Sequence, residues 1–454
     1  MENVVEYINS NREKYVEELK DFLKIPSIST LAENKKDMLT AAEFVVNKLR
    51  EAGMENVKII ETKGHPLVYA DWLHAPGKPT VLVYGHYDVQ PVDPINLWDS
   101  PPFEPVIKDG NIYARGATDD KGQMYMHIKS VEAYFKTLGK LPLNVKFIIE
   151  GEEEIGSGNL EEFVNKNQDI LKCDAVLVSD TSLYGPGIPT LTYGLRGLCY
   201  MELTLTGPNR DLHSGTFGGG VDNPINVLAE LISKLLDSNG KIKIPGFYDD
   251  VVKLTKKERD NFKRLPFSEK QYAKTLGVKE LKGEKGYSTL ERVWARPTLD
   301  CNGIFGGFTG EGAKTVLPSK ATAKISMRLV PNQDPKKIGK LFTSYVKKIA
   351  PKTVRVEIKD LHGAYPIATS LDDKATIAAA DAIAKVFGKK TVFMREGGSI
   401  PIVVTFAKKL KAAPVLMGLG LNTENLHSPN EHFNLNHFQL GILSSAYFFD
   451  EFAK

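Results

Sequence analysis

The chain has 454 residues, 42% hydrophobic and 25% charged, with 59 Lys and Arg against 56 Asp and Glu for a net charge of +3. At roughly 150 residues per domain this suggests two or three globular domains. It excludes a disordered chain, a collagen-like repeat and a disulfide-dense mini-domain, and the near-neutral balance makes no case for nucleic acid or an anionic membrane as partner. Cys173, Cys199 and Cys301 are scattered with no CxxC pair, and read as small buried apolar side chains in a reducing compartment. The start, Met1-Glu2-Asn3-Val4-Val5-Glu6, lacks the basic and apolar regions of a signal peptide. No apolar run approaches the ~20 residues that span a bilayer. The expected setting is the cytoplasm.

Val4, Val5, Ile8, Tyr15, Leu19, Phe22 and Leu23 recur at helical spacing up to Pro26. A second helix is expected after Thr40 as N-cap, its apolar stripe ending at Gly53. Short β-rich runs follow at 57–60, 67–70 and 80–84, then a helix from about Gly122 to Leu138, a strand at 145–149, a helix from near Asn159 and a strand at 175–178. Alternation of this kind indicates a layered α/β domain. From about Leu195 the pattern becomes α+β: alternating strands at 198–206 and 321–330, a strand at 354–358, and helices after Pro224 and over 335–349. Residues 240–297 are polar and lysine-rich and read as an irregular surface insertion. Helices at 372–387, 400–410 and 435–452, with strands at 391–394 and 414–417, return to α/β. The pattern predicts a mixed-sheet, three-layer α/β domain (1–195 and 365–454) interrupted by an inserted two-layer α+β sandwich (196–364).

Ligand sites in α/β sheets lie beyond the carboxyl ends of the strands. Here those ends carry Gly85-His86-Tyr87-Asp88, Arg115-Gly116-Ala117-Thr118-Asp119-Asp120-Lys121-Gly122, Glu150-Gly151-Glu152-Glu153-Glu154, Ser179-Asp180 and Asn425-Leu426-His427-Ser428. Each segment alone would read as a loop histidine, an acidic turn or a helix cap. Five such strand ends in one domain read together as a divalent-metal site. Mixed imidazole and carboxylate donors without thiolate suit zinc, manganese or cobalt. Three carboxylates and two imidazoles exceed the three protein ligands of one catalytic zinc, whereas two metals sharing a carboxylate use them all.

These motifs, in order along nearly the whole chain, resemble the dinuclear metallopeptidase family of aminoacylases, carnosinases and glutamate carboxypeptidases. The resemblance implies that Asp119 bridges two divalent ions (zinc or manganese), with His86 and Asp180 completing one shell and Glu154 and His427 the other. Glu153 would be the general base acting on a metal-bridging water, and Asp88 would orient His86. Glu152 falls where relatives vary and is expected at the surface. In the inserted domain, Asp211-Leu212-His213-Ser214-Gly215 resembles the family's lid motif, whose histidine reaches a partner subunit's oxyanion. Arg328 would bind the substrate's C-terminal carboxylate, with Thr315, His362 and Ser399 as further substrate contacts. His65, His74, His127, His432 and His437 are left as structural.

The implied activity is a dipeptidase acting on dipeptides with a free C-terminal carboxylate, as a homodimer through the lid domain. A carboxypeptidase or N-acyl-amino-acid deacylase with the same centre is the alternative. The presence of every ligand and the base counts against an inactive metal- or peptide-binding protein.

Overall fold

The structure, a computed structural model, describes residues 1–454. It divides into two compact units, one of Met1–Tyr193, Thr369–Met394 and Pro401–Lys454, the other of Gly194–Ala368 and Arg395–Ile400. No helix is long and apolar enough to cross a membrane.

The first unit is built on a mixed sheet. Thr80–His86 pairs in parallel with Asn144–Glu150 on one side and with Ala175–Val178 on the other. Ala413–Leu416 adds in parallel to Ala175–Val178, while Glu55–Ile60 and Leu67–Trp72 close the far edge antiparallel. The central strands are apolar along their length because both faces are covered. Val81, Val83, Phe147 and Leu177 face a core shared with helices Lys35–Glu51, Lys121–Leu138, Lys374–Phe387 and Leu435–Phe452. On the opposite face Tyr84 meets Phe406 of helix Pro401–Leu410 edge-on, ring centroids 5.5 Å apart. The three-layer expectation holds.

The second unit is a four-stranded antiparallel sheet in the order Thr298–Gly306, Lys320–Leu329, Gly197–Thr206, Arg355–Ala364. Cys199, Met201, Leu203 and Leu205 alternate into a core with Ile325, Met327 and helices Pro224–Ser233 and Pro335–Ile349. Both helices start with a side-chain cap and Pro at the first turn: Asn223 accepts from Ile225 N, and Asp334 from Lys336 N and Lys337 N.

Four local expectations are corrected. The first apolar run is two helices, Glu2–Ser10 and Arg12–Leu23, broken at Asn11. The next helix begins at Lys35, and Thr40 lies inside it with Oγ1 donating to Lys36 O; a hydroxyl that bonds its own preceding turn is no cap. Cys301 is exposed, unlike Cys173 and Cys199, because its strand is a sheet edge. The 240–297 region is neither irregular nor wholly at the surface. Ile242, Ile244 and Phe247 join the second core. Helices Lys256–Lys263, Glu269–Thr275 and Thr289–Ala295 follow, the first and last opened by capping boxes. Lysines between the apolar residues hid this pattern.

Candidate metal centre

The loops leaving the strand ends of the first unit bring His86, Asp119 and Asp180 into one group and Asp119, Glu154 and His427 into another, ligand atoms within each lying inside 4.8 Å of one another. Asp119 belongs to both. Its Oδ1 lies 3.1 Å from His86 Nε2 and its Oδ2 2.8 Å from His427 Nε2. His427 Nε2 is also 3.4 Å from Glu154 Oε2, and His86 Nε2 is 4.0 Å from Asp180 Oδ2.

His86 closes strand Thr80–His86, fully buried. Its Nδ1 donates to Asp88 O at 3.0 Å. A carbonyl only accepts, so Nδ1 carries a proton and Nε2 is the atom left for a cation. The Asp88 carboxylate lies 3.4 Å from the same nitrogen, and it also caps the next ligand segment, taking Glu153 N–H at 3.2 Å and Glu154 N–H at 3.1 Å. One side chain thus holds both the imidazole and the turn that carries Glu153 and Glu154.

The electrostatics are those of crowded carboxylates. Burial, with the charges of Asp119 and Glu153, holds Asp180 well above the usual carboxylate range. Burial and Asp119 push Glu154 up to about 8. Burial, opposed by His86 but joined by Asp119 and Asp88, brings Glu153 to about 7. Asp119 goes the other way: burial alone would raise it, but the hydrogen bond to His427 and the close approach of His86 hold it low. The hydrogen bond to Asp119 lifts His427 to about 9.

Buried His86 Nε2 and Glu154 Oε1 have no hydrogen bond of proper geometry. Orphaned donor atoms aimed into a carboxylate-rich, thiolate-free cluster suit two divalent ions of the zinc or manganese type. Glu153 makes no side-chain hydrogen bond or ion pair, which leaves its carboxyl free to exchange a proton.

Two carboxylates unnoticed in the sequence secure this arrangement. Glu431 is fully buried; it pairs with Arg115 Nη1 at 2.8 Å and accepts from Gly116 N, Thr118 N and Asp119 N. Glu424 accepts from Thr118 Oγ1, Leu421 N and Asn434 N. They bracket the loop bearing His427, so both its ends are fastened to the segment carrying Asp119. Gln90, also unnoticed, donates to Glu154 Oε2 at 2.7 Å. No local pattern marks any of the three. Glu152, expected at the surface, is only 5% exposed: it accepts from His65 N and from Asn159 at the start of helix Gly158–Lys166.

The remaining residues singled out in the sequence lie in the second unit. His213 ends a two-residue strand pairing with Val316, next to Thr315, whose carbonyl accepts from Ser214 N. His213 Nδ1 accepts from Gly215 N, so Nε2–H is the exposed donor. Arg328 and His362 stand on strands that flank Gly197–Thr206, opposite Leu198 and Tyr200. Ser399 lies on the Arg395–Ile400 segment.

Residues 82–450 match the model of peptidase family M20/M25/M40, and the chain belongs to that family. It is an enzyme of the peptidase class, consistent with the relatives that cover its length. It is 36% identical to the Cys-Gly metallodipeptidase DUG1 of Candida albicans, over 95% of this chain and 93% of that one. The crystal structure of human carnosine dipeptidase 1 matches with a TM-score of 0.83 and 33% identity, covering 100% of this chain and 98% of the other. An M20 family metallo-carboxypeptidase from Sulfolobus solfataricus matches with a TM-score of 0.84 and 36% identity, over 97% and 99% of the two chains.

Proposed function

We propose that the chain is a metal-dependent dipeptidase cleaving dipeptides with a free C-terminal carboxylate. The observation that carries this is Asp119 shared between two ligand triads, beside an unbonded Glu153. The names of the yeast and human relatives support the substrate class. His86, Asp119 and Asp180, and Asp119, Glu154 and His427, would hold two divalent ions of the zinc or manganese type, which would supply Lewis acidity toward a water and a carbonyl.

The protein's own groups do the rest. Glu153, near neutrality in pKa, takes a proton from the attacking water as its oxygen bonds to the scissile carbon. His213 Nε2–H donates to the tetrahedral oxyanion, reaching the site of the partner subunit. Glu153 then returns the proton to the amine as the C–N bond breaks. Asp88 keeps His86 and the Glu153 turn in place. Arg328 receives the C-terminal carboxylate, with Thr315, His362 and Ser399 lining the substrate. The homodimer forms through the second unit, whose edge strand Thr298–Gly306 exposes Ile304 and Phe305. A reducing, cytoplasmic setting suits three free cysteines.

The Sulfolobus relative, named a carboxypeptidase, keeps that activity as a second reading. To decide, chelator-stripped protein restored with zinc or manganese is assayed on Ala-Ala, amidated Ala-Ala, a tripeptide and N-acetyl-alanine. Chelator-sensitive cleavage of Ala-Ala alone establishes the dipeptidase. Turnover of the tripeptide or the acetylated substrate moves the enzyme to the carboxypeptidase or deacylase branch. Glu153→Gln is expected to keep two metals per chain by elemental analysis while losing nearly all turnover; retained turnover removes Glu153 from the base role.

A further inference from the structure

The outward face of the four-stranded sheet carries more positive charge than reading a single carboxylate requires. Strand register fixes which side chains share that face. Arg328 stands opposite Leu198 and Thr298, and Ser326 opposite Tyr200 and Asp300. Tyr200 in turn faces His362, ring centroids 5.1 Å apart. The alternate residues, Cys199, Met201 and Met327, fill the core on the other side. Arg196 lies just before that strand, and the strand's alternation of burial runs on through it: Gly197 and Cys199 are buried, whereas Arg196, Leu198 and Tyr200 are partly exposed.

Neither guanidinium has an anionic partner. Arg328 makes no hydrogen bond and no ion pair. Arg196 has one long hydrogen bond, Nε to Gly397 O at 3.4 Å, and no ion pair. Both are half-buried or more. Burial and then the neighbouring Arg328 charge push Arg196 down to about 10, with Asp300 opposing. Burial likewise lowers Arg328, again with Asp300 opposing. Asp300 is exposed and bonds neither. Two partly desolvated like charges, opposed only by the exposed and unbonded Asp300, lack the paired, hydrogen-bonded compensation that buried charges normally have.

The segment Arg395–Ile400 closes over Arg196. Arg196 N donates to Glu396 O at 3.3 Å. A Cβ added at Gly397 would sit 2.8 Å from Arg196 Nη2, so the glycine leaves room for the guanidinium. Ser399, already proposed as a substrate contact, follows two residues later on the same segment.

We infer that Arg196 and Arg328 form a double-arginine subsite for the substrate's C-terminal residue, selecting peptides that end in Asp or Glu. Arg328 grips the main-chain carboxylate and Arg196 the side-chain carboxylate. A C-terminal Gln has nearly the same shape but leaves the second guanidinium without its charge-assisted hydrogen bonds. The inference rests on the dipeptidase reading and its use of Arg328.

The test compares kcat/KM for Ala-Glu and Ala-Gln in the metal-restored enzyme and in Arg196→Gln, Arg196→Lys and Gly397→Ala, with Ala-Ala alongside. The Glu/Gln ratio within one variant cancels any loss of folded or metal-loaded protein. A ratio of about tenfold or more is expected in the unmodified enzyme, in line with a hydrogen bond to a charged group. It should fall toward one in Arg196→Gln, with the loss in KM, survive in part in Arg196→Lys, and fall in Gly397→Ala, where the new methyl displaces the guanidinium. A ratio near one in the unmodified enzyme, or a high ratio untouched by Arg196→Gln, overturns the inference while Ala-Ala turnover leaves the dipeptidase standing. An equal rise in KM for all three peptides also overturns it, because Arg196 would then read only the shared carboxylate. Failure to cleave any of the three, Ala-Ala included, removes the dipeptidase reading and the inference with it.

Discussion

Glu431 accepts hydrogen bonds from an arginine and three backbone amides while fully enclosed. Its charge balances Arg115, which is itself 1% exposed and stacked 5.3 Å over the Trp98 ring. Glu431→Gln keeps the shape but strips the counter-charge, and breaking a buried pair from one side costs about 3–5 kcal/mol. The variant should lose about that much in urea unfolding and bind fewer than two metals per chain, because the amides it releases include that of Asp119. Unchanged stability with full metal content would show that Arg115 finds another partner. Glu152 teaches the same lesson on a smaller scale: its carboxylate is spent on backbone and Asn159 donors rather than on the centre.

At the scale of elements, His127 joins three of them. It sits fully buried on helix Lys121–Leu138, with Nε2 2.8 Å from Ser179 Oγ and Nδ1 2.9 Å from Ser445 Oγ of the last helix. Ser179 Oγ spends its proton on Met417 O at 2.7 Å, so His127 donates from Nε2 and accepts at Nδ1. Protonation would break that network, and burial pushes the imidazole down to about 3. A histidine with a lowered folded pKa binds fewer protons than the unfolded chain between pH 3 and its free value of about 6.5. Its stabilisation is complete above about pH 6.5 and lost as pH falls toward 3, roughly 2 kcal/mol of it by pH 5. Thermal melts from pH 7 to 5 should show the decline, and His127→Gln should flatten it. An equal slope in the variant would assign the acid sensitivity to other groups.

For the whole molecule, the exposed edge of the second unit is the feature that calls for a partner. Strand Thr298–Gly306 leaves its outer backbone unpaired and exposes Ile304 at 53% and Phe305 at 54%. Unguarded apolar edges recruit another chain. The protein is expected to sediment as a dimer and Phe305→Glu as a monomer. If the lid histidine acts across subunits, dipeptide turnover should fall along with the dimer. A native monomer with full activity would contradict both the proposed dimer and the role of His213 in it.

The first unit's architecture and the side chains that converge on its centre were legible in the sequence. His86, Asp119, Glu154, Asp180 and His427 each follow a strand or strand-like run, and α/β geometry gathers such positions at one sheet edge. Hydrophobic period and residue type are local signals, and they sufficed there. They failed where an energetic partner is distant or the pattern is diluted. Glu431 meets Asp119 across 312 positions, and Arg196 comes under Gly397 across 201. The apolar residues of 240–297 are interleaved with lysines yet enter a core. The burial of a carboxylate, the pairing of an arginine and the side of a sheet on which a charge emerges depend on long-range contacts, so tertiary structure alone decided them.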